Sequence, residues 1–323
     1  QDFQLMVGDE STWNTPATVN KTFEYESESI EESYGRTEGQ PLRRGTAFPR
    51  NDRFTPYFAG AAGNVQLAVM TKGFGFWLKH MMGQVATTGP TETTVYTHTG
   101  TEASLLGKGI TMQVNRPLNP AGTDQPFTYA GGKIVEWTVS NSVEGNLLLD
   151  LSMDFASGAT ATALATASYP SSMDNLTWVG GVVSIGGTNV DLDEFSLNVK
   201  NGNNVDRRKI RASADKKEQL QGKREGSFSL KCDFESLTQR NRAAALTRAG
   251  ALAAVVATWK GPTLLGTTIY PEFTVNIAAA RFDDWKAATQ DYDAIGQELS
   301  GAVTWDGTNS PVQVIYKSAD VTP

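Results

Sequence analysis

GKIVEWTVSNSVEGNLLLDLSMDF, Gly132–Phe155, has the composition of a β-hairpin. Its first part is rich in β-branched and aromatic residues (Ile134, Val135, Trp137, Thr138, Val139), and in its second part Leu149, Leu151 and Met153 alternate with Asp150, Ser152 and Asp154. Gly145 lies between the two. A comparable layout returns near the end of the chain. ARFDDWKAATQDYDAIGQELSGAVTW, residues 280–305, sets Trp285 against Trp137 and LSGAVTW against DLSMDF.

Working outward, strand signals dominate. GNVQLAVM (Gly63–Met70), GITMQV (Gly109–Val114), GSFSLKCDF (Gly226–Phe234), YPEFTVNIA (Tyr270–Ala278) and PVQVIYK (Pro311–Lys317) alternate or carry β-formers, with glycines between them. Two segments read as helix. KGFGFWLKHMMG (Lys72–Gly83) spaces Phe74, Trp77, Leu78 and Met81 on one face with Gly83 as its stop, and ESLTQRNRAAALTRAGA (Glu235–Ala251) is alanine-rich and closed by Gly250. In each half a strand leads directly into a helix. Ahead of that strand lies a basic loop, and ahead of the loop another strand, TFEYESESI in the first half and DEFSLNVK in the second. These features predict a mainly β fold whose domain is duplicated, 1–165 and 166–323, with the small-residue stretch Ala156–Ser172 as the boundary.

The two loops are the strongest candidate interaction sites. Gly35–Asn64 carries Arg36, Arg43, Arg44, Arg50 and Arg53; Asn201–Glu225 carries Arg207, Arg208, Lys209, Arg211, Lys216, Lys217, Lys223 and Arg224. They sit in a chain of 323 residues whose formal net charge is −7, so the field of the whole molecule repels phosphate and does not hold nucleic acid. EYESESIEE contributes Glu24, Glu26, Glu28, Glu31 and Glu32 as a dense acidic strand and turn. Taken alone, such runs are solvated faces. Between identical copies they complement one another and set orientation and register, with strand edges supplying the adhesion.

Catalytic chemistry finds no support. The two histidines, His80 and His98, lack metal-site spacing; His80 reads as a surface or boundary side chain and His98 as a strand or loop residue. Cys232 reads as a small buried hydrophobe, and as the one cysteine it can form no intramolecular disulfide. Neither a nucleophile elbow nor a phosphate-binding loop is present, and no cofactor is expected. No stretch has 18 consecutive apolar residues. QDFQLMVGDEST shows neither a basic nor an apolar signal region, so no membrane partner or secretion is expected, although opening on Gln1 leaves room for an upstream segment.

The order LMVGDESTWNTPAT, FEYESESIEES, PLRRG, AGAAGNVQLAVMTKGFGFWLKHMMG, YAGGKIVEWTVSNSVEGNLLLDLSMDF, VVSIGGTNVDLDEFSLNVKNGNNV resembles the major tail tube proteins of long, non-contractile-tailed bacteriophages. The resemblance implies a β-barrel or sandwich domain flanked by a helix. It also implies a structural role, with rings stacked into a tube around the tape-measure protein and double-stranded DNA passing through the lumen without specific binding. Given the duplication, three copies would form each pseudo-sixfold ring, a hexamer of single chains being the alternative. The location implied is the virion tail, with assembly in the bacterial cytoplasm. The resemblance also implies that the loop between the early strands reaches neighbouring subunits, which carries over here to the two basic arms. A β-rich phage adhesin or receptor-binding protein is the competing reading; it needs an aromatic platform, and the tryptophans at 13, 77, 137, 178, 259, 285 and 305 are scattered. An outer-membrane barrel, the third option, fits poorly with the helices and the charged loops.

Overall fold

The computed structural model describes residues 3–39, 44–45, 47–92, 94–119, 122–287 and 295–323. The first half contains β1 (Gln4–Glu10), β2 (Lys21–Phe23), β3 (Ser27–Glu28), β4 (Glu31–Glu38), β5 (Phe54–Ala68), α1 (Gly75–Met82), β6 (Gly83–Thr91), β7 (Val95–Glu102), β8 (Gly109–Asn115), β9 (Pro126–Ser142), β10 (Leu148–Phe155) and β11 (Ser157–Ala159). After a 3-10 turn at Trp178–Gly180 come β12 (Gly181–Ile185), β13 (Thr188–Val190), β14 (Leu192–Lys200), β15 (Glu225–Asp233), α2 (Thr238–Ala243), α3 (Arg248–Ala251), β16 (Leu252–Lys260), β17 (Glu272–Ala287), β18 (Gly296–Thr304) and β19 (Val312–Ser318). The expectation of a mainly β chain holds.

Two long strands organise the sheet, and both change partners along their length. The start of β9 pairs with β8 and β11, and its end pairs with β10. The start of β17 pairs with β16 and β19, and its end with β18. Strands that switch sheets in this way build corners between packed layers. Around each of them the same pairing order occurs. β2–β1–β8–β9–β10–β5 is one run and β13–β12–β16–β17–β18–β15 the other.

The agreement extends to single residues. Trp137 lies opposite Leu151 and Trp285 opposite Leu299. One residue is bulged out of register on the long strand in each case, Val135 between Ile134 and Glu136, and Asp283 between Phe282 and Asp284. The hairpin β6–β7 has no partner in the second run; instead β7 pairs with β19 and ties the halves together.

A second tie is the pairing of β9 with β14, which runs from Glu194 opposite Ser142 to Lys200 opposite Glu136. It joins the strands into the continuous order β4–β5–β10–β9–β14–β15–β18–β17. Alternate residues of these strands form the core: Leu149, Leu151 and Met153 on β10, Phe195, Leu197 and Val199 on β14, Phe228, Leu230 and Cys232 on β15. Each buried Leu or Phe contributes about 1.5–3 kcal/mol through removal of its surface from water. Within the single chain this run is open rather than closed into a barrel, because β4 and the end of β17 each have one paired side among the described residues.

Several local expectations are corrected. Helix α1 forms where expected and stops at Gly83, whose φ of +100° and contact with the Ala103 carbonyl, 2.3 Å from an added Cβ, leave room only for glycine. The expected single helix at 235–251 splits into α2 and α3, with Thr247 extended between them and capping the Gly250 amide. The split follows from small anchors. Leu237 and Leu246 are both exposed, and alanine alone buries too little to hold a long helix. TFEYESESI is not one strand. Phe23 and Ile30 are buried in the core and Tyr25 packs against it, while the exposed Glu24 and Glu26 interrupt the run between β2 and β3. His80, expected at the surface or a boundary, is buried against the Phe76 ring at 4.8 Å, with Asp9 at 3.4 Å. Within the stretch expected as the boundary, the Ala165 carbonyl accepts from Gln4 at 2.7 Å and its amide donates to Gln113 at 2.8 Å, which leaves that expectation as it stood.

Candidate assembly interface

The two basic segments occupy equivalent places in the pairing order, between β4 and β5 and between β14 and β15, and they fold differently. Asn201–Gly202 does turn, with Gly202 at φ +66°, and the arm then comes back along itself. Asn204 N donates to Leu220 O at 3.0 Å, Lys217 N to Arg207 O at 2.8 Å, and Gly222 N to Gly202 O at 2.9 Å. Polar side chains with no apolar alternation cannot anchor a regular strand, so the returning chain is held by hydrogen bonds.

Side-chain bonds fasten the arm to the first half of its own chain. Lys216 Nζ reaches Asp154 Oδ1 at 2.5 Å, and Gln219 donates to the other oxygen of the same carboxylate. Glu218 accepts from Lys133 Nζ at 2.7 Å and from the amide of Gly107. Burial pushes the Asp154 carboxyl up and the Lys133 ammonium down from their ordinary values, with the facing charges opposing both shifts. Arg207 donates to Glu218 O at 2.8 Å; Arg208 donates to the Ala59 carbonyl and stands over the Tyr57 ring at 5.6 Å. Arg211 donates to Asp215 O at 2.7 Å. Arg224 lies 3.8 Å from Glu102, and burial lowers its pKa. Lys217 is half-buried, Lys209 exposed, and Lys223 pairs with Glu225 at 3.5 Å on the surface.

The first segment is largely strand. Residues expected to lie in a loop from Gly35 to Asn64 belong largely to β4 and β5, which pair from Glu31 opposite Ala62 to Glu38 opposite Phe54. The cause is visible in Tyr34, Phe54 and Phe58, β-formers that take contacts within the hairpin. Tyr34 packs edge-on to Phe58 at 5.7 Å, and Arg36 lies over Phe54 at 5.9 Å. At the tip Arg50 forks onto Asp52 at 2.8 and 2.7 Å, and Arg53 lies 3.7 Å from the same carboxylate. Arg44 is exposed. Arg43 lies outside the described residues.

In the acidic stretch, Glu24, Glu26 and Glu31 are exposed and Glu32 accepts from Tyr34 OH. Glu28 is gripped by Arg116 at 2.8 and 2.7 Å, which raises the pKa of that guanidinium; the same side chain caps Ile30 O at 2.7 Å. Among the described residues no ion pair links the basic arms to these carboxylates. Sequence reasoning missed the partners that Lys216, Glu218 and Gln219 of the second arm take, Asp154 and Lys133. The available signal was a lysine and an aspartate near the two ends of one hairpin, Gly132–Phe155.

A groove of about 990 Å³ is lined mainly by the second half, with Arg224, Ser227, Arg281, Ala302 and Trp305 among others, and is bordered by Met81, Met82 and Glu102 of the first. Among the described residues no group of three or more His, Cys, Asp or Glu side chains could hold a metal ion, and no helix is long and apolar enough to cross a membrane. What the surface offers is strand edge, charge and a groove beside them. Comparison with known proteins adds that a sequence model described as phage tail tube protein matches residues 1–316. No curated protein matches the chain.

Proposed function

This chain belongs to the phage tail tube protein family, and on that premise we propose that it carries two tail-tube domains, residues 1–165 and 166–323, three copies of which close each ring of the tube. Its role is structural, in the tail of the virion. The observation that supports two domains is the recurring pairing order, with Trp137 and Trp285 at matching positions and a bulge two residues before each. Convergence of strand order, register and bulge position on chance grounds is far less economical than repetition of one unit.

Rings stack around the tape-measure protein while the tail is built in the bacterial cytoplasm, and the finished tube conducts double-stranded DNA. A chain with net charge −7 suits that passage, because a wall that repels phosphate lets the duplex slide. The open run from β4 to β17 supplies the curved wall of each copy, and closure into a ring removes its edges.

Negative-stain electron microscopy of the purified chain, with rotational averaging of end-on views, tests this reading. Hollow tubes with threefold symmetry are expected. Strict sixfold symmetry from six chains would remove the two-domain ring, and a chain that stays monomeric at high concentration would remove the tube.

A further inference from the structure

We infer that the junction joining the two halves of this chain, β9 against β14, is repeated between chains, with the end of β17 receiving β4 of a second copy in a defined register. The inference rests on the tube reading above and adds the contact that closes it. Inside the chain, Thr138, Trp137 and Glu136 lie opposite Asn198, Val199 and Lys200. Each of these residues has a counterpart fixed by its other neighbour. Thr138, Trp137 and Glu136 face Asp150, Leu151 and Ser152 on β10, as Lys286, Trp285 and Asp284 face Glu298, Leu299 and Ser300 on β18. Asn198, Val199 and Lys200 face Ser227, Gly226 and Glu225 on β15, as Glu31, Glu32 and Ser33 face Ala62, Ala61 and Gly60 on β5.

Substituting counterparts sets Glu31 opposite Lys286, Glu32 opposite Trp285 and Ser33 opposite Asp284. The chemistry agrees with the geometry. Within the chain, Asn198 donates to Thr138 at 2.9 Å and Lys200 lies 4.0 Å from Glu136. Between chains the first of these contacts becomes an ion pair, Glu31 with Lys286, both exposed in the single chain. Arg116 already occupies the carbonyl of Ile30, which marks the far end of the ladder.

The groove fits the same interface. The second arm enters the first half beside Lys133 and Asp154, which are paired with each other across β9 and β10, Asp154 also facing Ala62 on β5. The counterparts on the second half are Arg281 and Ala302, likewise paired, with Ala302 facing Ser227, and all three line the 990 Å³ groove. The arm's position is thus filled on the first half and open on the second. Its occupant is the β4–β5 hairpin of a second copy. Because the two edges that meet are different surfaces, the contact is head-to-tail and propagates until a ring closes.

Cysteine substitution reads the register. Glu31→Cys and Lys286→Cys in one chain, with native Cys232 buried, should give an intermolecular disulfide on mild oxidation of the multimer and a ladder that stops at the ring size. Charge exchange supplies a second reading. Glu31→Lys or Lys286→Glu alone should lower the polymerised fraction about tenfold, and the double exchange should restore it, since like charges placed opposite each other disfavour the contact. Tubes that form but do not cross-link, with no rescue by the double exchange, would overturn the register and leave the tube standing. A parent chain that makes neither ring nor tube would overturn both.

Discussion

The segment between β4 and β5 and the segment between β14 and β15 hold the same place in two matching strand orders, and they share a basic composition. One is bordered by a paired, mostly exposed hairpin, and the other is an irregular arm sewn to the opposite half of its chain. Charge therefore does not decide where such a segment goes. What decides is whether a receiving surface lies within reach. The second arm finds Asp154 and Lys133 in its own chain; the first has the equivalent surface only on another copy.

The contrast can be broken most severely at the buried pair. Asp154→Ala strands Lys216 in a site where both side chains are about nine-tenths buried, and a loss of roughly 3–5 kcal/mol is expected by chemical denaturation. Replacing the pair together, Asp154→Leu with Lys216→Met, should recover most of that loss, because an apolar pair of similar size needs no compensating charge. If the double variant is as unstable as the single, the arm is held by something other than this pair.

Next in size is the tryptophan comparison. Trp137 is fully buried, so Trp137→Ala should cost about 3–5 kcal/mol in the isolated chain. Trp285 holds the matching position at a free edge and is only half-buried, with its indole N–H on Gln297 at 2.9 Å. Trp285→Ala should cost the isolated chain less than half as much, about 1–2 kcal/mol, while impairing polymerisation more strongly than stability. Equal losses for both variants in the isolated chain would show that the two positions are not the same site in two states of cover.

The smallest effect is expected at the hairpin tip. Arg50→Ala removes an exposed fork onto Asp52, and no measurable change in the unfolding midpoint is expected, since solvent screens such pairs. A clear shift would mean that the tip packs in the isolated chain.

Much of this architecture was legible in the sequence, and the reasons are specific. Trp137 and Trp285 could be matched by eye because each sits in a strand followed after a gap by Leu-Ser, and the structure sets both tryptophans opposite those leucines. α1 was readable from a full apolar face and a terminal glycine. The arms were recognisable as unusual but not as docked or paired, because their partners lie far away in sequence; Lys216 and Asp154 are separated by 62 residues. The hairpin was hidden by arginines between Tyr34 and Phe58, two aromatic residues that pack on each other far apart in sequence. The long alanine helix failed for the opposite reason, since high helix propensity cannot replace a face that packs.

The pairing of β7 with β19 has a mechanical consequence. Together with β9 and β14 it gives the chain two seams, at sites well separated in sequence, and the tail after β19 adds further clasps where Asp320 accepts from Gly73 N at 2.7 Å and its carbonyl meets His98 at 3.0 Å. Two ladders and these clasps together resist swinging of one half against the other. Each chain then behaves as a stiff brick, and when a tail bends, the strain falls on the mortar between bricks.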